Sequence, residues 1–196
     1  MDNFKSPQSK ALETLKEMLI SRGHKADEFD TIGSPLDDTS MYTFDGVFVV
    51  FSHKARLTQT EIGNFLAYAE ENNHTSTMII VTLSRPSEAV ILYLRDYIAV
   101  PENILVQIFE LSHLQFNVSK HRKVPQHTLL DDEAIANLKK VYSWWDITKF
   151  RRIDCQDPMA KWVGARPGNV IQVEGLCPVS GSNKHWDLCV ANPYDV

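Results

Sequence analysis

The chain lacks the sequence features of several large classes of protein. Its three cysteines, Cys155, Cys177 and Cys189, include no Cys-x-x-Cys pair, and its seven histidines have no metal-ligand spacing. This pattern predicts neither a disulfide framework nor a zinc site, so reduced packing thiols are expected. The longest apolar runs, such as 47–51, are far below the roughly 18 residues that span a bilayer. Charged residues interrupt the first twenty positions, so no signal peptide is expected. We therefore expect a soluble intracellular chain with no membrane partner.

Catalytic signatures are also lacking. There is no Gly-x-Ser-x-Gly turn, Cys155 has no local partner pattern, and the glycines do not form a phosphate-binding loop. No catalytic residue, metal ion or cofactor is therefore expected. A metal-dependent nuclease is one alternative, in which Asp45 and Lys54 would flank the metal. It is disfavoured because Ser52 stands where that motif needs a carboxylate ligand.

The charge is divided unevenly along the chain. Residues 1–117 hold 9 Lys+Arg and 16 Asp+Glu, which gives −7, and residues 118–196 hold 11 and 9, which gives +2; together they make the net charge of −5. Because phosphate contacts dominate DNA affinity, an acidic protein binds DNA poorly by itself. Any nucleic-acid contact must therefore be local and supported by partners.

The first part of the chain alternates helix and strand signals. Ser6 and Pro7 suit a helix start and Gly23 its end, while Thr58 and Glu61 form a capping box that opens a second helix. An acidic segment rich in turn-forming residues, 25–40, predicts a surface loop. The pattern predicts a small α/β domain with at least some parallel pairing. Its other elements are expected to be strands at 42–51, 78–83 and 104–109 and a helix at 87–97.

The composition changes at 117–125, which is polar and basic and ends in a proline. We therefore place a domain boundary there, between domains at 1–119 and 120–196. Beyond it, acidic residues open and lysines close a predicted helix at 131–142, which complements the helix dipole.

The rest of the second domain carries turn signals. After an irregular region at 144–157, Asp157 can cap a short helix that has Pro158 at its first position and ends at Gly164. A Pro167-Gly168 turn then leads into a strand. The predicted strands are 169–173 and 186–190, the second reached through a loop that contains Gly181. These signals predict a small α+β domain.

A collinear series of motifs runs through both domains. The segments are Met78-Ile79-Ile80-Val81 with Arg85-Pro86-Ser87-Glu88-Ala89, Leu111 to His121, Val124 to Leu130, Arg152-Ile153, Asp157 to Gly164 and Arg166 to Val173. This series resembles the fifth subunit shared by the eukaryotic nuclear RNA polymerases, and its second part alone resembles the shorter archaeal counterpart of that subunit. The resemblance covers nearly the whole chain.

The resemblance implies a non-catalytic structural subunit of a multisubunit DNA-directed RNA polymerase. Residues 1–119 would form a nuclease-like jaw domain near downstream duplex DNA, which they would contact non-specifically. Residues 120–196 would form an assembly domain that docks on the largest subunit, with other polymerase subunits as further partners. The location would be the nucleus for a cellular chain, and the virus factory or virion for a virus-encoded one.

The resemblance also places a DNA-facing loop at Arg85, Pro86 and Ser87. Backbone amides at a helix N-terminus and an arginine side chain both favour phosphate. From the residues alone, an ordinary helix start with proline at its first position is the alternative. The basic run 120–123 could also touch nucleic acid, or could be a solvated linker.

Seven residues are expected to carry the docking fold of the second domain. The prolines and glycines would set backbone geometry, Asp157 would cap a helix, His127 would satisfy a buried hydrogen bond, and Trp162 would fill the interface or the core. The set is Pro125, His127, Asp157, Pro158, Trp162, Gly164 and Gly168. The aromatics Trp144, Trp145, Phe150, Trp162 and Trp186 are expected to be core or interface anchors rather than base-stacking platforms.

Four positions depart from the family pattern. Arg151 replaces a proline, Trp162 a tyrosine, and Gly175 and Asp187 replace arginines. These departures suggest a divergent member, either a specialised paralogue or a chain encoded by a large DNA virus, with altered partner surfaces. An alternative is a transcription-regulator adaptor that shares the fold but has no stable place in the polymerase.

Overall fold

The computed structural model describes residues 6–33, 38–72, 77–142, 146–177, 179 and 181–192, without the side chains of Thr148 and Cys177. The chain divides into two compact units, Met1–Asn117 (unit 1) and Val118–Val196 (unit 2). Each unit holds one mixed β-sheet, so the chain is a mixed α/β protein. The division falls two residues before the boundary placed from the sequence.

Unit 1 is built around a five-stranded sheet with the order β1-β2-β3-β4-β5. Its elements are α1 (Pro7–Ser21), β1 (Asp30–Ile32), β2 (Thr39–Phe44), β3 (Val47–Ser52), α2 (Gln59–Glu71), β4 (Thr77–Thr82), α3 (Glu88–Ala99) and β5 (Leu105–Glu110). The pairs β1–β2 and β2–β3 are antiparallel, and β3–β4 and β4–β5 are parallel. Parallel neighbours require a crossover, and α2 and α3 supply the two crossovers.

Helices cover both faces of this sheet. Side chains alternate between faces along a strand, and every residue of β3 is buried. Phe48 of β3 packs on Tyr68 of α2, with ring centroids 5.7 Å apart. On the other face, Tyr42, which pairs with Val49, accepts a hydrogen bond from Gln8 of α1. The continuous apolar run of β3 therefore reflects burial between two helical layers.

The structure corrects two expectations in unit 1. The predicted strand at 42–51 is an antiparallel hairpin, because Asp45 (φ 48°) and Gly46 (φ 80°) turn the chain between β2 and β3. Positive φ at both central residues is typical of the tight Asp-Gly hairpin turn. The predicted loop at 25–40 contains β1 and the start of β2, which extend the sheet beyond β3.

Unit 2 is built around a four-stranded sheet with the order β6-β8-β9-β7. Its elements are β6 (Gln126–Leu129), α4 (Asp132–Val141), β7 (Arg151–Asp154), α5 (Pro158–Val163), β8 (Val170–Cys177) and β9 (Gly181–Val190). Strands β7 and β9 pair in parallel, whereas β6–β8 and β8–β9 are antiparallel. Two predictions are wrong here, because the irregular region contains β7 and Gly181 begins β9 instead of lying in a loop. Trp144 and Trp145 lie outside the described residues.

The two described thiols, Cys155 and Cys189, are buried and form no disulfide. Burial raises the pKa of Cys189 to about 12, which keeps it protonated and unreactive at neutral pH. Both residues therefore serve as small packing side chains. Within the described part of the chain, no helix combines the length and apolar character needed to cross a membrane.

Candidate functional site

A groove of about 980 Å³ opens in unit 1 at the carboxyl ends of the parallel strands β3 and β4. We call it the basic groove; its lining is Ala55, Arg56, Leu57, Thr58, Gln59, Thr60, Ser84, Arg85, Ser87, Ala89 and Val90. The Ser84 hydroxyl donates to the Ala55 carbonyl at 2.5 Å, and the Gln59 amide donates to the Ala89 carbonyl at 3.0 Å. These two hydrogen bonds tie one wall of the groove to the other.

The charge of the basic groove is positive. Arg56 and Arg85 line it, and its described lining contains no aspartate or glutamate. Both arginines are exposed, and within the described residues neither makes a hydrogen bond or an ion pair. The groove is therefore a local cationic site in a unit whose net charge is −7.

The predicted DNA-facing loop forms one wall of the basic groove. Ser87 is the N-cap of α3, although its side chain makes no capping hydrogen bond in the described structure. Pro86 precedes this cap, so the predicted position of the proline is wrong, whereas an ordinary helix start stays an alternative for this loop. Arg85 stands one residue further from the helix and extends beside the groove. The four side chains of the basic run at 120–123 are exposed, and a role for them in DNA contact stays a prediction.

The residues of the nuclease alternative do not come together. Asp45 precedes β3 and Lys54 follows it, and a strand of this length separates its ends by roughly 17 Å. Lys54 instead pairs with Glu61 at 2.7 Å. Asp45 accepts a hydrogen bond from the Lys25 amide, which lowers the pKa of the Asp45 carboxyl, and lies 3.4 Å from His24. Asp45 and Lys54 therefore cannot lie on either side of one metal ion, and the nuclease alternative lacks its site within the described part of the chain.

The short helix of unit 2 is held by local backbone chemistry. Asp157 caps α5 by accepting hydrogen bonds from the amides of Met159 and Ala160 at 2.8 and 3.4 Å. Pro158 occupies the first turn, and Gly164 ends the helix with φ 75°, a left-handed conformation that favours glycine. These three residues fix where α5 begins and ends.

The other predicted docking residues lie around the sheet of unit 2. Trp162 is buried, which places it in the core. The ring Nδ1–H of His127 donates to the Pro125 carbonyl at 2.8 Å, but the side chain is only half-buried on the edge strand β6. Gly168 has φ 94° and donates its amide to the Cys189 carbonyl at 2.8 Å. Their contribution to docking stays a prediction.

Two departures from the family pattern meet in this sheet. Arg151 of β7 lies opposite Asp187 of β9 and donates two hydrogen bonds to its carboxylate, at 2.9 and 2.6 Å. These bonds raise the pKa of Arg151 above its ordinary value. The Asp187 side chain is 1% exposed and that of Arg151 66%. The Arg151 guanidinium also lies 2.8 Å from His185 Nε2, which accepts in the neutral ring. Asp187 is thus neutralised within the chain and presents no charge to a partner.

Gly175, the other position at which the family pattern has an arginine, lies on β8 and has room for a side chain. A Cβ atom built there would lie 3.5 Å from the Cβ atom of Pro125, an ordinary van der Waals contact. Backbone crowding therefore does not explain the glycine.

Sequence reasoning missed the exposed apolar residues on α4 and at the β8–β9 tip of unit 2. No residue of α4 is buried, and Val141 at its end is 73% exposed. The β8–β9 ribbon extends beyond its last pair with β6, and Leu176 and Val179 at its tip are 91% and 95% exposed. Apolar residues on one face of the predicted helix were the available signal. The signal was ambiguous, because such a face usually packs on the protein's own core.

Comparisons with known proteins match the second unit of the chain to a protein family. Residues 116–183 match the family model described as RNA polymerase Rpb5, C-terminal domain. The chain is 33% identical over 76 residues to DNA-directed RNA polymerase subunit Rpo5 of Thermococcus kodakarensis, covering 39% of this chain and 92% of that protein. The corresponding figures for Rpo5 of Pyrococcus horikoshii are 35% over 78 residues, with the same coverage.

A longer match extends across most of the chain. The chain is 22% identical over 149 residues to the protein named DNA-directed RNA polymerases I, II, and III subunit rpabc1 of Dictyostelium discoideum, covering 74% of this chain and 73% of that protein. Together with the archaeal matches, this match identifies the chain as similar to one class of subunit of the multisubunit RNA polymerases. The chain belongs to the Rpb5/Rpo5 family of DNA-directed RNA polymerase subunits.

Proposed function

We propose that this chain is a non-catalytic structural subunit in which unit 2 docks on the largest polymerase subunit and unit 1 forms a jaw beside downstream DNA. Membership of the Rpb5/Rpo5 family carries the proposal, since the related proteins are named as subunits of the same enzyme. The basic groove supports the DNA-facing part, and the exposed apolar residues of unit 2 support docking.

Purification of the tagged chain from its source tests this proposal against the adaptor alternative. At about 0.5 M salt, weak surface electrostatics are screened, so only a stable assembly survives. We expect equimolar recovery of two large polymerase subunits, measured by quantitative mass spectrometry. Recovery of the chain alone, or with traces of polymerase, would favour an adaptor.

The exposed apolar residues of unit 2 are suited to a permanent subunit interface. Val141 on α4 and Leu176 and Val179 at the β8–β9 tip are exposed apolar side chains, and contact with a partner would remove them from water. Obligate interfaces are also more apolar than transient ones. We therefore assign Val141 and Leu176 to the surface that meets the largest subunit.

Changing Val141 or Leu176 to aspartate should lower the recovery of polymerase subunits with the tagged chain by at least about tenfold, since burying an unpaired charge costs several kcal/mol. Mass spectrometry of the purified complex measures the loss. Leu92→Asp on α3 is the control, because Leu92 is also an exposed apolar residue but belongs to unit 1. If all three variants recover as much polymerase as the unmodified chain, α4 and the β8–β9 ribbon are not part of the interface.

Unit 1 is suited to a weak, non-specific contact with DNA. Its overall charge is −7, so binding by the isolated chain would be poor, whereas Arg85 on the wall of the basic groove can contact phosphate once the polymerase holds DNA nearby. An arginine contact of this kind positions the duplex without reading its sequence.

Arg85→Glu should shorten the lifetime of polymerase complexes on downstream duplex DNA several-fold while leaving subunit recovery intact. The change removes one phosphate contact and adds a repulsive charge. Dissociation rates over a range of salt concentrations measure the effect. An unchanged lifetime and salt dependence would exclude the Arg85 loop from the DNA path.

The location proposed for the assembled subunit is the nucleus for a cellular chain and the virus factory or virion for a viral one.

A further inference from the structure

We propose that Arg56 is a second phosphate-binding residue and that, with Arg85, it makes the basic groove a seat for the backbone of one DNA strand. This inference rests on the proposed function, because it adds a contact residue at the same DNA-facing site. Arg56 belongs to no motif of the family resemblance. Arg56 lies beside Arg85 only because β3 and β4 pair in the fold.

The register of the sheet brings the two arginines together. Ser52 at the end of β3 pairs with Thr82 at the end of β4, and adjacent strands lie about 4.8 Å apart. The segments that leave these strands stay joined by the hydrogen bond from the Ser84 hydroxyl to the Ala55 carbonyl. Arg56 and Arg85 each follow one member of this bonded pair. The two arginines therefore lie next to each other on opposite walls of one groove.

The charges in the groove are available to a ligand. Neither arginine has a hydrogen-bond or ion-pair partner among the described residues, and no carboxylate belongs to the described lining. Lys54, two residues before Arg56, shows the contrast. Its ammonium pairs with Glu61 at 2.7 Å, while Glu61 also accepts from the Thr58 amide at 2.8 Å. Lys54 is thus neutralised, and Arg56 is left to face the groove.

The remaining lining suits phosphate oxygens. The exposed side chains of Thr60 and Ser87 carry hydroxyl groups, and hydroxyl donors are common partners of the DNA backbone. The large apolar lining residues, Leu57 and Val90, are buried in the protein and offer no anchor for a peptide side chain. One DNA strand carries a phosphate about every 3.4 Å along the helix axis, so two adjacent arginines can engage one short stretch of backbone.

The test uses polymerase purified with tagged variants of the full chain. Arg56→Gln, Arg85→Gln and the double variant are compared on a fluorescent downstream duplex between about 50 and 200 mM salt. The matched control is Lys10→Gln, which removes one charge from an exposed α1 residue outside the groove. Subunit stoichiometry is measured for every preparation, so that a loss of assembly is separated from a loss of DNA binding.

Log affinity falls as log salt rises, and we expect this slope to become less negative by about 0.9 for each single arginine variant and by about twice that for the double variant. Lys10→Gln should leave the slope unchanged, and the loss should be equal for duplexes of unrelated sequence. If Arg85→Gln changes the slope and Arg56→Gln behaves like the control, this inference is wrong and the proposed function stands. If neither arginine changes the slope, the DNA-facing part of the proposed function fails as well.

A third result would identify a different occupant. If both arginine variants release a polymerase subunit or an acidic factor while the DNA slope stays constant, the groove binds a polypeptide and the phosphate assignment is overturned.

Discussion

Arg151→Met is expected to destabilise unit 2 by about 2–3 kcal/mol, because it leaves the Asp187 carboxylate buried without its main countercharge. Breaking a fully buried pair costs more, but the Arg151 guanidinium is largely exposed and water already screens part of the interaction. Urea unfolding followed by tryptophan fluorescence measures the loss. Every tryptophan, at 144, 145, 162 and 186, lies in unit 2, so the signal reports on this unit.

The partner substitution should behave differently. Asp187→Asn leaves Arg151 solvated and still able to donate to an amide oxygen, so we expect a loss below about 1 kcal/mol. The double variant Arg151→Met with Asp187→Leu should recover most of the stability, since it buries no unpaired charge. Equal losses for the two single variants, or no recovery in the double variant, would contradict the view that the buried carboxylate sets the cost.

Trp162→Ala should destabilise unit 2 by about 3–5 kcal/mol, the range for deleting a buried aromatic side chain. Trp162 is 6% exposed, so the substitution opens a cavity in the core of the unit. Trp162→Tyr, which restores the residue type of the family pattern, should cost less because most of the volume remains filled. The three other tryptophans report the unfolding of both variants.

Leu94→Ala is the matched control in unit 1, where Leu94 is 1% exposed on α3. It should lower the stability measured by circular dichroism and leave the tryptophan transition in place, because each unit has its own sheet and core. A loss below about 1 kcal/mol for Trp162→Ala would mean that this side chain does not fill the core. Its expected role would then move to a subunit interface.

The helix boundaries could be predicted because they depend on nearby residues. Ser6 accepts from the Ser9 amide at the start of α1, and Thr58 and Glu61 form the complete capping box of α2. The cap of α5 at Asp157 follows the same rule. Each signal lies within three or four residues of its effect, so one sequence carries it in full.

Strand pairing was less accessible because it joins distant residues. The four residues of β7, Arg-Arg-Ile-Asp, have little apolar character, and they form a strand through their register with β9. The Asp45-Gly46 turn was present in the sequence, but the apolar residues on both sides made 42–51 look like one strand. The Arg151–Asp187 pair depends on the register of β7 with β9, which explains why two unusual residues seemed to be unrelated departures.

The two arginines of the basic groove differ in whether the sequence could predict their role. Arg85 could be predicted as a candidate because it lies in a motif between a strand and a helix. Arg56 could not, because only the parallel register of β3 and β4 brings its segment beside Arg85.

The closing residues of unit 1 return to its first helix. Gln115 donates to the Pro7 carbonyl at 3.0 Å, and Asn117 donates to the Glu17 carboxylate at 2.5 Å. Helix α1 and the closing residues of the unit are therefore neighbours in space, although all five strands of the sheet separate them along the chain. Such a body can be joined to another polypeptide at a single peptide junction without any change in its strand order. One in-frame gene fusion upstream of a shorter subunit would be enough to create a chain of this architecture.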